Sequence, residues 1–223
     1  MLEKQSGICY RYLRIRMQRE YEKMLETALQ DAHGHEDECK NETFSQETVS
    51  ELDFSGIDFE GVNFVKCRFI NCNFTKAGFY SVRFSRCDFS GCHFTESYWK
   101  NASIENSKAD KAVFIKSYWK NSSITDSSFY FSNFSESVWN DCAVTRCNFG
   151  ESALTEAKLQ KFRPHEVNFS RADFFKTILK DIDLSSCTIE GILVSESFQE
   201  LKGVKINVMQ AADLVRILGV KFV

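Results

Sequence analysis

The chain has 223 residues, 28 Lys and Arg against 31 Asp and Glu, a formal net charge of −3 and 43% hydrophobic residues, among them 21 Phe. No apolar run approaches the ~20 residues that span a bilayer, and the N-terminus lacks the continuous apolar centre of a secretory signal. These features exclude a membrane span and lead us to expect a cytoplasmic protein with no direct nucleic-acid binding.

In chain order, residues 1–32 form the first element. Tyr10, Leu13, Met17, Tyr21, Met24, Leu25, Ala28 and Leu29 recur at steps of three and four with charged residues between them, the pattern of an amphipathic helix. Such a helix either caps the apolar end of the neighbouring domain or projects to bind a partner. Residues 33–50 read as a polar linker. His33, His35, Glu36, Asp37, Glu38 and Cys39 match no metal-site spacing, so no metal or cofactor is expected.

From residue 51 to residue 204 one rule governs the chain. Phe54, Phe59, Phe64, Phe69, Phe74, Phe79, Phe84, Phe89 and Phe94 recur every five residues, and the phase continues through Trp99, Ile104, Phe114, Trp119 and Trp139 to Val194. Two residues before each large one stands a small one, including seven of the nine cysteines: Cys67, Cys72, Cys87, Cys92, Cys142, Cys147 and Cys187. These thiols are core filler. A period of five fits neither the 3.6 of a helix nor the 2.0 of a strand, so the chain must turn at every repeat. The three Trp, 20 residues apart, indicate coils that close after four sides and stack large on large. About seven such coils at strand spacing give a rod on the order of 34 Å long. Pro164 at a large position and Phe162 at a small one predict a kink or bulge.

Residues 205–223 read as a last strand, a helix capped by Asn207 and stopped at Gly219, and an apolar tail. Val208, Ala211, Ala212, Leu214, Val215 and Leu218 make its apolar face.

The units CNFTK, CDFSG, ADFFK and IDLSS resemble the pentapeptide repeat family, whose usual unit is A(D/N)LXX. The resemblance implies an all-β fold, a right-handed quadrilateral β-helix. The C-terminal helix and its Leu-Gly-Val tail are similar to the Qnr, MfpA and McbG group of topoisomerase-directed members. That likeness implies a homodimer joined through Val208, Ala211, Leu214, Val215 and Leu218. It also implies a rod that imitates duplex DNA in the saddle of gyrase or topoisomerase IV and modulates quinolone or toxin sensitivity.

The surface departs from a uniform DNA mimic, because residues 51–204 carry 20 acidic and 18 basic side chains. One column, Lys76, Glu96, Lys116, Glu136, Glu156 and Lys176, mostly alternates in sign and predicts charge pairing between coils. Acidic residues gather at Asp53, Asp58 and Glu60, and again at Asp173, Asp181, Asp183 and Glu190, where a partner's basic surface is expected to sit. A second candidate surface is the column Tyr98, Tyr118 and Val138, with Lys100 and Lys120 beside it. With no P-loop, nucleophile elbow or HExxH motif, a non-catalytic binding protein is expected. The alternative to a topoisomerase partner is an effector or scaffold that binds another protein through the N-terminal helix and the aromatic face.

Overall fold

The computed structural model describes Leu25, Thr27, residues 38–217 and residues 219–220. Within them the chain winds as a parallel β-solenoid of four-sided coils. The first face is a seven-stranded sheet: Glu38–Lys40, Asp58–Glu60, Gly78–Tyr80, Tyr98–Lys100, Tyr118–Lys120, Val138–Asn140 and Lys158–Gln160. The second is a seven-stranded sheet running from Thr43–Ser45 to Arg163–His165. Each neighbour is parallel and displaced by 20 residues, so Trp99 pairs with Trp119 and Trp119 with Trp139. The third and fourth faces keep the same step through isolated bridges such as Asp88 to Lys108 and His93 to Val113.

A pentapeptide can turn this often because the residue two after each large one takes a left-handed backbone. Lys76, Glu96, Lys116, Glu136, Glu156 and Lys176, for instance, have φ between 56° and 61°. Gly serves the same corner at Gly56, Gly61, Gly91 and Gly191. The peptide N–H at the corner then reaches the coil above, as from Lys76 to the Thr95 carbonyl at 2.8 Å.

Inside, the large residues stack by face. Phe74, Phe94, Phe114 and Phe134 succeed one another with ring centroids 4.8, 4.8 and 4.6 Å apart and planes within 8° of parallel. The indoles of Trp99, Trp119 and Trp139 stack at 4.3 and 4.9 Å. Their N–H groups donate to Ser97, Ser117 and Ser137 at 2.8, 2.9 and 2.9 Å. Ser replaces Cys or Ala in these coils because an indole buried in a dry core needs an acceptor. The seven inward cysteines are buried, free thiols.

Two sequence expectations change. The stretch 33–50 is not all linker: Cys39, Phe44 and Val49 are 7%, 1% and 4% exposed and hold the phase of five, and their strands pair in register with the next coil. Pro164 causes no bulge against the preceding coil. Arg163–His165 pairs with Ala143–Thr145 in unbroken register, and Phe162 packs edge-on to Trp139 at 5.5 Å. Pro164 lies on the last strand of its sheet: it has no N–H to offer the next coil, no backbone hydrogen bond joins residues 163–165 to 183–185, and Asp183 bridges only to Lys205.

The two ends are closed differently. At the start, Leu25 is 1% exposed and its N–H donates to the buried Glu47 Oε2 at 3.0 Å. This contact is a cap on the first coil. The remainder of the amphipathic segment 1–32, with His33, His35, Glu36 and Asp37, lies outside the described residues. At the far end, helix α1 (Val208–Ile217) sits over the last coil with Leu214 and Ile217 against the core. Asn207 Oδ1 accepts from the Gln210 N–H at 3.0 Å while Gln210 Oε1 accepts from the Asn207 N–H at 2.8 Å. This is a reciprocal cap at the expected residue. Gly219 has φ 79° and its N–H reaches the Arg216 carbonyl at 2.9 Å, ending the helix as expected.

Candidate functional site: the aromatic face and its surroundings

Residues on either side of a buried strand centre point outward, so each face carries two outward columns with neighbours one strand spacing apart. On the first face the structure brings Tyr98 and Tyr118 together. Their rings lie parallel at 5.1 Å and 2°. Tyr80 joins them from the other column, its ring 5.6 Å from that of Tyr98. It crosses the strand because residue 78 is Gly: a Cβ there would lie 2.5 Å from Tyr80 Cε2. Burial, and then the nearby Asp58 charge, holds the Tyr80 hydroxyl above the usual phenol range. The sequence carried this signal only in Gly78, which interrupts an outward column opposite a tyrosine.

Lys100 and Lys120 sit next to each other on adjacent strands of this face. Farther along, Lys158, Ile178 and Lys180 line a groove of about 500 Å³ that reaches the Glu156 and Lys176 corner.

Elsewhere the charges pair. Lys76 meets Glu96 at 3.8 Å, Lys116 meets Glu136 at 3.7 Å and Lys176 meets Glu156 at 2.9 Å, the coil-to-coil pairing expected of that column. Arg146 grips Asp126 through two bonds of 2.7 Å, and the guanidinium holds that carboxyl below its usual range. A polar groove of about 760 Å³ runs beside this pair, lined by Lys108, Ser128, Asn148 and Asn168 among others. Asn168 Nδ2 donates to Asn148 Oδ1 at 3.0 Å, so its amides are already engaged with one another.

The acidic residues expected to act together at the C-terminal end do not share a face. Asp173, Asp181, Asp183 and Glu190 fall at different points of the 20-residue circuit and surround the rod. Asp173 Oδ1 accepts from the Phe175 N–H at 2.8 Å and Asp183 Oδ1 from the Ser185 N–H at 2.9 Å. Both are turn-forming contacts, and the hydrogen bonds from Ser185 lower the Asp183 pKa.

Of the residues expected to join two subunits, Leu214 packs on the chain's own core, whereas Val208 stands 88% exposed with Met209 beside it at 83%. Ala211 and Val215 are half-buried, and the side chain of Leu218 lies outside the described set. A further exposed pair, Tyr130 and Phe131, was not singled out by sequence. Phe131 is 57% exposed at a left-handed corner, φ 58°. No group of side chains among the described residues is placed to hold a metal ion, and no described helix is long and apolar enough to cross a membrane.

The family model for pentapeptide repeats matches residues 53–91 and 147–191 in 8 copies. No curated protein matches the sequence. Among solved structures, full-length QnrB1, a plasmid-mediated fluoroquinolone resistance protein, aligns at 20% identity and TM-score 0.48, covering 82% of this chain and 97% of that one. HetL, a pentapeptide repeat protein of the cyanobacterium Nostoc involved in heterocyst differentiation regulation, aligns at 11% identity and TM-score 0.35, covering 79% and 92%. The stretch between the two matched segments holds the Trp and Ser residues that depart from the usual unit, yet its coils continue the same register. Residues 53–91 and 147–191 match pentapeptide repeats, and the coils between them keep the same 20-residue register.

Proposed function

We propose that this protein is a non-catalytic binding module that docks a protein partner on the first face of its coil stack. The observation that carries the reading is the half-buried ladder of Tyr80, Tyr98 and Tyr118 with Lys100 and Lys120 beside it. Stacked rings on a flat, stiff sheet offer apolar area with little side-chain entropy left to lose, which is the composition of an interface centre. Affinity capture from the source cells with the wild-type protein and with a Tyr98→Ser/Tyr118→Ser variant tests it. We expect a partner recovered by the first and lost by the second, with the melting transition of the two within a few degrees. Equal recovery by both contradicts the reading.

A second reading is favoured by the exposed Val208 and Met209 on α1. Two copies joined end to end on these residues form a longer rod, one able to lie along the DNA-binding saddle of a type II topoisomerase and alter its sensitivity to quinolones. Coil-to-coil pairing of surface charge limits how far such a rod imitates DNA electrostatically. Gyrase supercoiling with and without a fluoroquinolone, titrated across salt, tests this reading. Salt-sensitive inhibition or protection supports it, and unchanged supercoiling at micromolar protein removes it.

A further inference from the structure

We infer that the first face, from Gly78 to Lys180, docks an acidic segment of its protein partner. This deepens the protein-binding reading above and rests on it. The two outward columns over that stretch contain Tyr80, Tyr98, Tyr118, Val138 and Lys100, Lys120, Lys158 and Lys180, and no Asp or Glu. The face is one-signed in a chain whose net charge is −3.

Its lysines also lack an ion pair among the described residues, as do Lys66, Arg86, Lys108, Lys111 and Lys161 elsewhere on the rod; what sets this face apart is that its unpaired lysines share it with no carboxylate. Lys40, Lys76, Lys116, Lys176, Arg68, Arg83, Arg146, Arg163 and Arg171 each have a carboxylate within 4.0 Å, whereas Lys100, Lys120 and Lys158 have none among the described residues. A charge column built for stability alternates in sign, as the Lys76 to Lys176 column mostly does. Lys100 and Lys120, next to each other on adjacent strands, repel instead, and an incoming carboxylate relieves that repulsion.

The rings decide between an acidic polypeptide and a nucleic acid. Single-stranded nucleic acid is held by bases stacking on free aromatic faces. Here Tyr98 and Tyr118 each spend one ring face on the other at 5.1 Å and the Tyr80 ring lies 5.6 Å from Tyr98, so the ladder leaves fewer free faces for bases while its ring edges and hydroxyl donors stay available. Edges and hydroxyls suit carboxylates and backbone carbonyls.

The test is fluorescence anisotropy with a short labelled peptide alternating Glu and Ser, its Gln counterpart and a labelled single-stranded DNA of matched length. Each is titrated with the wild-type chain, with Lys100→Glu/Lys120→Glu and with Lys66→Glu/Arg86→Glu, a control on the corner between the second and third faces. We expect binding of the Glu peptide that weakens at least about tenfold in the first variant, is retained in the control, and fades as salt approaches ~0.5 M. All four substituted side chains are outward, and circular dichroism checks that the coil stack persists. Absence of peptide binding, equal weakening in both variants, or tighter binding of the DNA to the first face overturns the inference. If the peptide fails while Tyr98→Ser/Tyr118→Ser still loses the captured partner, the partner is not acidic and the protein-binding reading stands.

Discussion

An open solenoid end exposes apolar side chains and unpaired peptide groups, and this chain closes its two ends with opposite chemistry. At the C-terminal end the closing group is a neutral amide. Gln210 Nε2 donates to the Leu184 and Cys187 carbonyls at 2.8 and 2.6 Å while its Oε1 completes the helix cap. At the N-terminal end a carboxylate stands where later coils place Cys67 and Cys87. Glu47 is 3% exposed, accepts one N–H from Leu25 through Oε2, and leaves Oε1 buried with no partner. Burial raises the Glu47 pKa more than the Leu25 hydrogen bond lowers it. One end is fully satisfied in a single protonation state, and the other depends on the protonation of Glu47.

The comparison breaks most visibly at its apolar contacts. Leu25→Ala removes a side chain that is 1% exposed, and we expect a loss of about 2–5 kcal/mol of docking. Hydrogen exchange reads it as faster exchange at residue 25 with little change in the central coils. Gln210→Leu strands the Leu184 and Cys187 carbonyls and removes the cap, at about 1–3 kcal/mol per buried group left unpaired. Its signature is a lower melting temperature with the loss concentrated in α1 and the last coil. Gly219→Ala forces a Cβ onto φ 79°, a cost of about 1–2 kcal/mol confined to the end of α1.

The pH dependence sharpens the contrast. Because the docked Glu47 pKa is raised, its contribution to docking is fully present below the ordinary glutamate value of ~4.3 and is lost as pH rises through the raised value. Exchange at Leu25 is expected to quicken over that window while exchange in α1 holds steady. Glu47→Gln, the smallest change, keeps an oxygen to accept the Leu25 N–H and is expected to abolish that pH dependence with stability equal to the wild type at acid pH. A Gln variant that retains the pH dependence shows that another group governs the N-terminal end.

Most of the coil stack was legible because one rule repeats. The phase of five from Phe54 to Val194 and the 20-residue step of Trp99, Trp119 and Trp139 fix which residues stack, and the structure places them so. The first coil was harder to see because it breaks the rule's second half: Glu42 and Glu47 occupy positions that are small elsewhere, and Cys39 takes a large one. Glu47 makes sense only with Leu25 beside it, a contact 22 residues away. The outward tyrosine pair and the alternating charge column came from the same step of 20. Tyr80 did not, because its ring leaves its own column to lie over Gly78. Asp173, Asp181, Asp183 and Glu190 are dispersed around the rod because nearness in sequence is not nearness on a four-sided coil. Folding residue number by 20 separates them at once.

The most direct measurement places a photo-crosslinking amino acid at Tyr118 on the first face and, in a separate protein, at Ser123 on the second face of the same coil, and exposes each to the source-cell lysate. A partner polypeptide recovered from position 118 and absent from position 123 is the result predicted by docking on the aromatic face. Recovery from 123 alone, or equally from both, contradicts it.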